Sequence, residues 1–396
     1  MKNISLAKGV FAAGLAVACS WGLVACSSSS SDDVQLTGGV AATVNGTEIS
    51  EDKVTLAIES VRDDMDLTDA DSWGEWLAQY GYTPQSVREE VIDTYADQEV
   101  LRQHAADKGV SVDDATVQSY VDEMKANYDN DDARWQQALD SVGITEDEYR
   151  ENIELSLLSR GVKDTFATDE DPSDDEMLET ANTYLSSYDG AKRSSHILFD
   201  SDDEQTAQEV LDQINVGTIS FEDAAKQYSK DSSASNGGDV GWDKLTNFVD
   251  EYQEALDGLE KGQVSGLVTS QYGIHIIKCT DVFNAPDELT SMDQLPSEFV
   301  DAIKQIVNNN KQQQAYDDWL QSCRDESDIV INDMPENVPY NVDMSKYESD
   351  DESSDSGESG DASDDESAAD DASSDGDAAN GEADQGSSEG DNAEQQ

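Results

Sequence analysis

Residues 192–199 read KRSSHILF and residues 270–281 read SQYGIHIIKCTD; between them lie AAKQYSKDSSASNGGDVGW at 224–242 and GLEKGQVSGLV at 258–268. The runs His196-Ile197-Leu198-Phe199 and Ile274-His275-Ile276-Ile277 have the short apolar patterning of strands. Asp203 to Asn215 and Phe221 to Tyr228 space their apolar residues as helices do. A strand, two helices, a Gly-rich turn, a further helix and a returning strand predict an α+β unit of about 90 residues, the size of one domain. Gly237, Gly238 and Gly241 suit backbone turns. No strand-loop-helix cradle for a phosphate follows them.

In this order the residues resemble a parvulin, a peptidyl-prolyl cis/trans isomerase, and the resemblance covers the whole stretch. It implies a small antiparallel sheet with surrounding helices. It also implies that His196 and His275 are the paired histidines facing each other across the central strands. Asp231 falls at a position that is Cys in some parvulins and Asp in many bacterial ones, and Ser270 at a hydroxyl position near the histidines. Val240, Phe248 and Tyr252 fall on the residues that line the proline pocket. Two features depart from the pattern: Phe248 and Tyr252 stand where Met or Leu and Phe are usual, and WDKLTNF at 242–248 lacks the customary loop Gly. Read for structure alone, the two histidines fix the sheet by bonding each other, Asp231 is a turn carboxylate, and Phe248 and Tyr252 are core.

The chemistry implied forms and breaks no covalent bond. The barrier of about 18–20 kcal/mol comes from amide resonance, and a site that favours the twisted amide lowers it. No cofactor is needed. With His104, His196 and His275 the only histidines and no Cys or His cluster at ligand spacing, no metal site is expected. A hydrolase using Asp231, His275 and a nearby Ser lacks a nucleophile motif.

Outward from this unit, Lys2 and Lys8 precede an apolar run from Gly9 to Ala25, which reads as a secretory signal over 1–25. Leu23-Val24-Ala25-Cys26 resembles a bacterial lipobox, implying lipid attachment at Cys26 and a flexible tether over 26–40. Asn45-Gly46 between β-prone runs predicts a two-residue hairpin turn. Helices are expected around Val54 to Val61, from Pro84 behind a Thr83 cap, over Ala115 to Asn127 and Asp131 to Ser141, and over Thr145 to Phe166 with Thr145 and Glu148 as a capping box. Hairpin and helices over 41–188 resemble the N-terminal domain of SurA-like and PrsA-like extracytoplasmic foldases. A polar hinge at 168–175 leads through a helix over Glu176 to Tyr188 into the isomerase unit, placed at 189–284. The helix Phe299 to Cys323 and the strand DIVIN, within 285–335, are expected by that resemblance to return to the N-terminal segment. The isomerase is then an insertion in a discontinuous helical domain.

The chain of 396 residues carries a formal charge of −66, from 89 acidic and 23 basic residues. Such charge argues against nucleic acid and anionic lipid surfaces as partners. From residue 348 onward the chain holds 19 acidic residues and no Lys or Arg, and its composition cannot bury enough apolar surface to fold; the acidic tail is assigned to 336–396. Cys279 and Cys323 fall in different expected domains, so inert buried thiols are favoured over a bridge. The function expected is that of an isomerase and foldase for exported polypeptides containing X-Pro bonds, lipid-anchored outside the cytoplasmic membrane. The alternative is a holding chaperone whose parvulin unit is a scaffold. Oligomeric state is left open, a dimer included.

Overall fold

In the computed structural model, which describes residues 34–168 and 170–347, two antiparallel sheets sit among helices. The proposed signal, Cys26 and residues 348–396 lie outside the described residues. Strands β1 (Val40–Val44) and β2 (Thr47–Ser50) are joined by Asn45 and Gly46, both at positive φ, 50° and 87°. That is the backbone a two-residue hairpin turn requires, and Asn and Gly are the residues that adopt it. The third strand of this sheet, β7 (Ile329–Ile331), arrives from the far end of the chain and pairs with β1 on the side away from β2.

Three helices build the first core with this sheet: α1 (Glu51–Asp64), α2 (Ala70–Tyr80) and α3 (Pro84–His104). Ala42, Val44, Ile58, Trp73, Leu77, Val87 and Val91 are fully buried there. Thr83 caps α3 in a capping box with Ser86, with Pro84 in the first turn. Helix α2 was not expected from the sequence. Asp69 caps it by accepting from the Asp71 and Ser72 amides, Gly81 closes it at φ 73°, and Trp73 stacks on Trp76 with centroids 5.4 Å apart. Its signal was present in Trp73, Trp76, Leu77 and Tyr80, which keep helical spacing but surround an interior Gly74 that weakens the pattern.

At the centre of this core Glu51 and Arg88, 1% and 0% exposed, form a bidentate pair with contacts of 2.6 and 2.9 Å. Arg88 also donates to the Asn332 carbonyl at 3.0 Å, and the Tyr340 hydroxyl donates to Glu51 at 3.2 Å. Here the expected tail boundary at 336 is corrected. Tyr340 is fully buried, its carbonyl accepts from the Trp73 indole at 2.8 Å, and the Tyr347 ring packs where a side chain at Gly74 would stand. Val338 and Tyr340 join the first core, so the fold runs to Tyr347.

Helices α4 (Asp114–Ala126), α5 (Asp132–Ser141) and α6 (Glu146–Asp164) gather around Val121, Trp135, Leu139 and Ile153. The Thr145–Glu148 capping box is formed. Helix α7 (Asp174–Tyr188) then leads into the second sheet, ordered β4-β3-β6-β5, from β3 (Lys192–Phe199), β4 (Asp239–Trp242), β5 (Val268–Ser270) and β6 (Gly273–Val282). Residue alternation divides its faces. Ile197, Phe199, Ile274 and Ile276 pack on α8 (Glu204–Asn215) and α9 (Phe221–Tyr228), whereas Ile277 and Cys279 pack under α10 (Asp250–Asp257).

Helix α11 (Ser297–Glu326), 30 residues and therefore about 45 Å long, joins these bodies. Near its start Phe299 stacks on Tyr188 at 4.4 Å and tilts against Trp242 of β4 at 5.0 Å. Further along, Tyr316 meets α6 and α3, and Cys323 enters the first core. The isomerase-like unit is thus inserted in a discontinuous helical body. Cys279 and Cys323 are free, buried thiols in separate clusters. Among the described residues no helix is long and apolar enough to cross a membrane.

Candidate active site

The registers Leu198–His275 and His196–Ile277 put both histidines on one face of the second sheet as diagonal neighbours. Their rings lie 5.3 Å apart at 21°, and the two Nδ1 atoms are 3.1 Å apart. On the outer side of His275, Nε2 lies 2.8 Å from Ser270 Oγ, which itself accepts from the Tyr272 amide at 3.1 Å. On the outer side of His196, Nε2 is 3.2 Å from Asp231 Oδ1, a charge contact without the alignment of a full hydrogen bond.

With both rings neutral, one arrangement of protons suits every contact. The Ser270 hydroxyl donates to His275 Nε2, His275 Nδ1 donates to His196 Nδ1, and the His196 Nε2 proton faces the Asp231 carboxylate. The reverse arrangement turns a lone pair of His196 toward a carboxylate. Burial first, then the neighbouring His196, lowers the His275 pKa to about 4.

Asp231 caps the short 3-10 turn Ser232–Asn236, accepting from the Ser233 amide at 2.8 Å and from the Ser233 hydroxyl. Burial raises its pKa, but these two bonds and His196 outweigh burial and hold it at about 2. The turn-carboxylate role and the one beside the histidine therefore coexist in one side chain. Gly238 delivers this loop to the sheet: its carbonyl accepts from the His196 amide at 2.8 Å, and at φ 82° a Cβ there would stand 2.2 Å from the His196 carbonyl oxygen.

Beside the histidines, Tyr252 of α10 is 3% exposed and meets both rings edge-on at 5.6 Å. Its hydroxyl donates to Ser194 Oγ at 3.0 Å, and Phe248 tilts against it at 4.5 Å. Half-buried Val240 and Phe248 complete this cluster. Sequence reasoning missed Ser194, although its place two residues before His196 on the same strand is a signal that it shares the site. It also missed the Tyr272 amide, which no side-chain motif reveals. All seven expected residues are thus brought together: a polar chain Asp231–His196–His275–Ser270 alongside a packed apolar cluster of Val240, Phe248 and Tyr252. Among the described residues no group of three His, Cys, Asp or Glu is set to hold a metal.

Residues 196–281 match the PPIC-type PPIase domain family, and residues 2–163 match the SurA-like N-terminal domain. The foldase protein PrsA of Caldanaerobacter subterraneus is 27% identical over 325 residues, 81% of this chain and 94% of that protein. The PrsA of Bacillus subtilis is 35% identical over 189 residues, 47% of this chain and 58% of that protein. The chaperone SurA of Burkholderia thailandensis is 38% identical over 130 residues, 32% of this chain, so that the chain spans only 27% of that relative's length.

Proposed function

From the premise that residues 196–281 are a PPIC-type peptidyl-prolyl isomerase domain, we propose that the protein is a prolyl cis/trans isomerase and foldase for exported polypeptides. The observation that carries this reading is the Asp231 carboxylate at the end of a buried histidine pair, beside the packed rings of Phe248 and Tyr252. A planar prolyl amide places partial negative charge on its oxygen and partial positive charge on nitrogen, and twisting the bond returns that charge. A fixed carboxylate near the carbonyl disfavours the planar state relative to the twisted one, which is differential stabilisation of the kind that lowers a barrier. Phe248, Val240 and Tyr252 hold the proline ring in either isomer. His196, His275 and Ser270 keep the polar wall in one orientation.

The apolar run before Cys26 and the lipobox-like LVAC support export and lipid attachment at Cys26, with the helical body engaging unfolded segments outside the cytoplasmic membrane. Exchange spectroscopy on a prolyl tetrapeptide with the full-length protein tests the reading. Asp231→Ala is expected to lower turnover by about 10- to 1000-fold with little change in affinity. Phe248→Ala is expected chiefly to raise KM, because its contact is shared by both isomers. A wild-type rate no faster than the uncatalysed one removes the isomerase and leaves a holding chaperone on a parvulin scaffold.

A further inference from the structure

We propose that Lys192 is a positioning residue for the proline slot, pinning both ends of the segment that carries Phe248 and Tyr252. Its kinetic consequence rests on the isomerase reading above. At the front of the segment the Lys192 amide donates to Asp243 Oδ1 at 2.9 Å, and the Lys192 carbonyl accepts from the Asp243 amide at 2.9 Å. At the back Lys192 Nζ donates to the carbonyls of Leu256, Asp257 and Leu259 at 3.1, 2.6 and 2.8 Å. One residue of β3, four positions before His196, therefore holds residues 243 and 256–259, and the slot lies between them.

The need for such a clamp is legible in α10. The helix has eight residues and no side-chain cap at Val249, a length at which a helix does not sustain itself. Its terminal carbonyls have no acceptor role within the helix, and a cation there also meets the negative end of the dipole. An ammonium has three protons, and here three carbonyls take them all. Leu256, fully buried, stands one turn after Tyr252 on the same face. Anchoring the carbonyl end of the helix thus sets the height of the Tyr252 ring above the histidines. Gln253 ties the middle, donating to Asp243 at 3.3 Å and to Asp257 at 2.8 Å. A planar guanidinium does not reproduce three converging bonds.

The test compares full-length wild type, Lys192→Met and Lys192→Arg. For Lys192→Met the KM for a prolyl tetrapeptide is expected to rise about five- to tenfold with turnover at saturation within about twofold, the signature of a loosened binding wall; Lys192→Arg should fall between. Hydrogen exchange should accelerate at least about tenfold for amides 252–259 while β3 and β6 keep wild-type protection. Unchanged KM with reduced turnover, or protection lost evenly over residues 192–281, would overturn the proposal. If Lys192→Met does not fold, Lys192→Arg is read by the same two measurements. If wild type is not an isomerase, the proposed function fails, and the exchange pattern alone still decides whether the clamp exists.

Discussion

His275 is 4% exposed, and its imidazole must stay neutral to accept from Ser270 and donate to His196. Its pKa of about 4 lies below the ordinary value near 6.5, so the unfolded chain takes up a proton at a pH where the folded one does not. The stability this contributes is complete above about pH 6.5 and is lost as pH falls from there through 4, a loss of about 3 kcal/mol in order of magnitude. Asp231, held at about 2, is lost in a separate window below about pH 4. Urea unfolding of wild type and His275→Gln at pH 7, 5.5 and 4.5 separates these from the charge of the whole chain. The stability gap between the two proteins should shrink by most of that amount across the series, and a gap constant with pH would contradict the assignment. The seven candidate residues were readable because parvulin-like spacing marks them. The direction of the proton chain was not, because it depends on the Tyr272 amide and on Ser233, neither of which a motif names.

At the scale of elements, the Glu51–Arg88 pair locks α1 to α3 and, through Asn332 and Tyr340, to the segment that follows β7. Arg88→Met leaves a buried carboxylate without its cation and is expected to cost about 3–5 kcal/mol, while Glu51→Gln with Arg88→Met together should recover most of it. Equilibrium denaturation of the single and double variants checks this, and an equal cost for both would show that the residues act through packing alone. This pair was invisible in the sequence because a buried charge looks like a solvated one until its partner, 37 positions away, is known. Elements whose ends are written locally were readable for the opposite reason: Asn45-Gly46, Thr83-Pro84 and the Thr145–Glu148 box complete their bonds within four residues. Helix α2 fell between these cases, its cap local but its aromatic face recognisable only against Tyr340 and Tyr347.

For the whole molecule, α11 passes from the isomerase-like unit to the first core, and β7 and Tyr340 then close that core. Ending the chain after Tyr347 keeps every contact described, so the thermal transition should stay within about 2 °C of wild type. Ending it after Asn332 strips Val338 and Tyr340 from the first core and removes the Tyr340 groups that bond Trp73 Nε1 and Glu51. A transition lower by at least about 10 °C is expected, since burial of two large side chains and two buried bonds is several kcal/mol. Calorimetry on both truncations checks the pair, and equal transitions would remove residues 333–347 from the fold.

The pairing of β1 with β7 also sets an order in time. A chain emerging from its N-terminus presents Ala42 and Val44 first and their partners Ile331 and Ile329 nearly three hundred residues later. The first core must wait, open and sticky, until almost everything else has been delivered. The unit of residues 192–281 pairs β3 with β6 over less than a third of that separation and needs no such delay. The unit of residues 192–281 can therefore close early, while most of the chain's emergence passes with the first core unfinished.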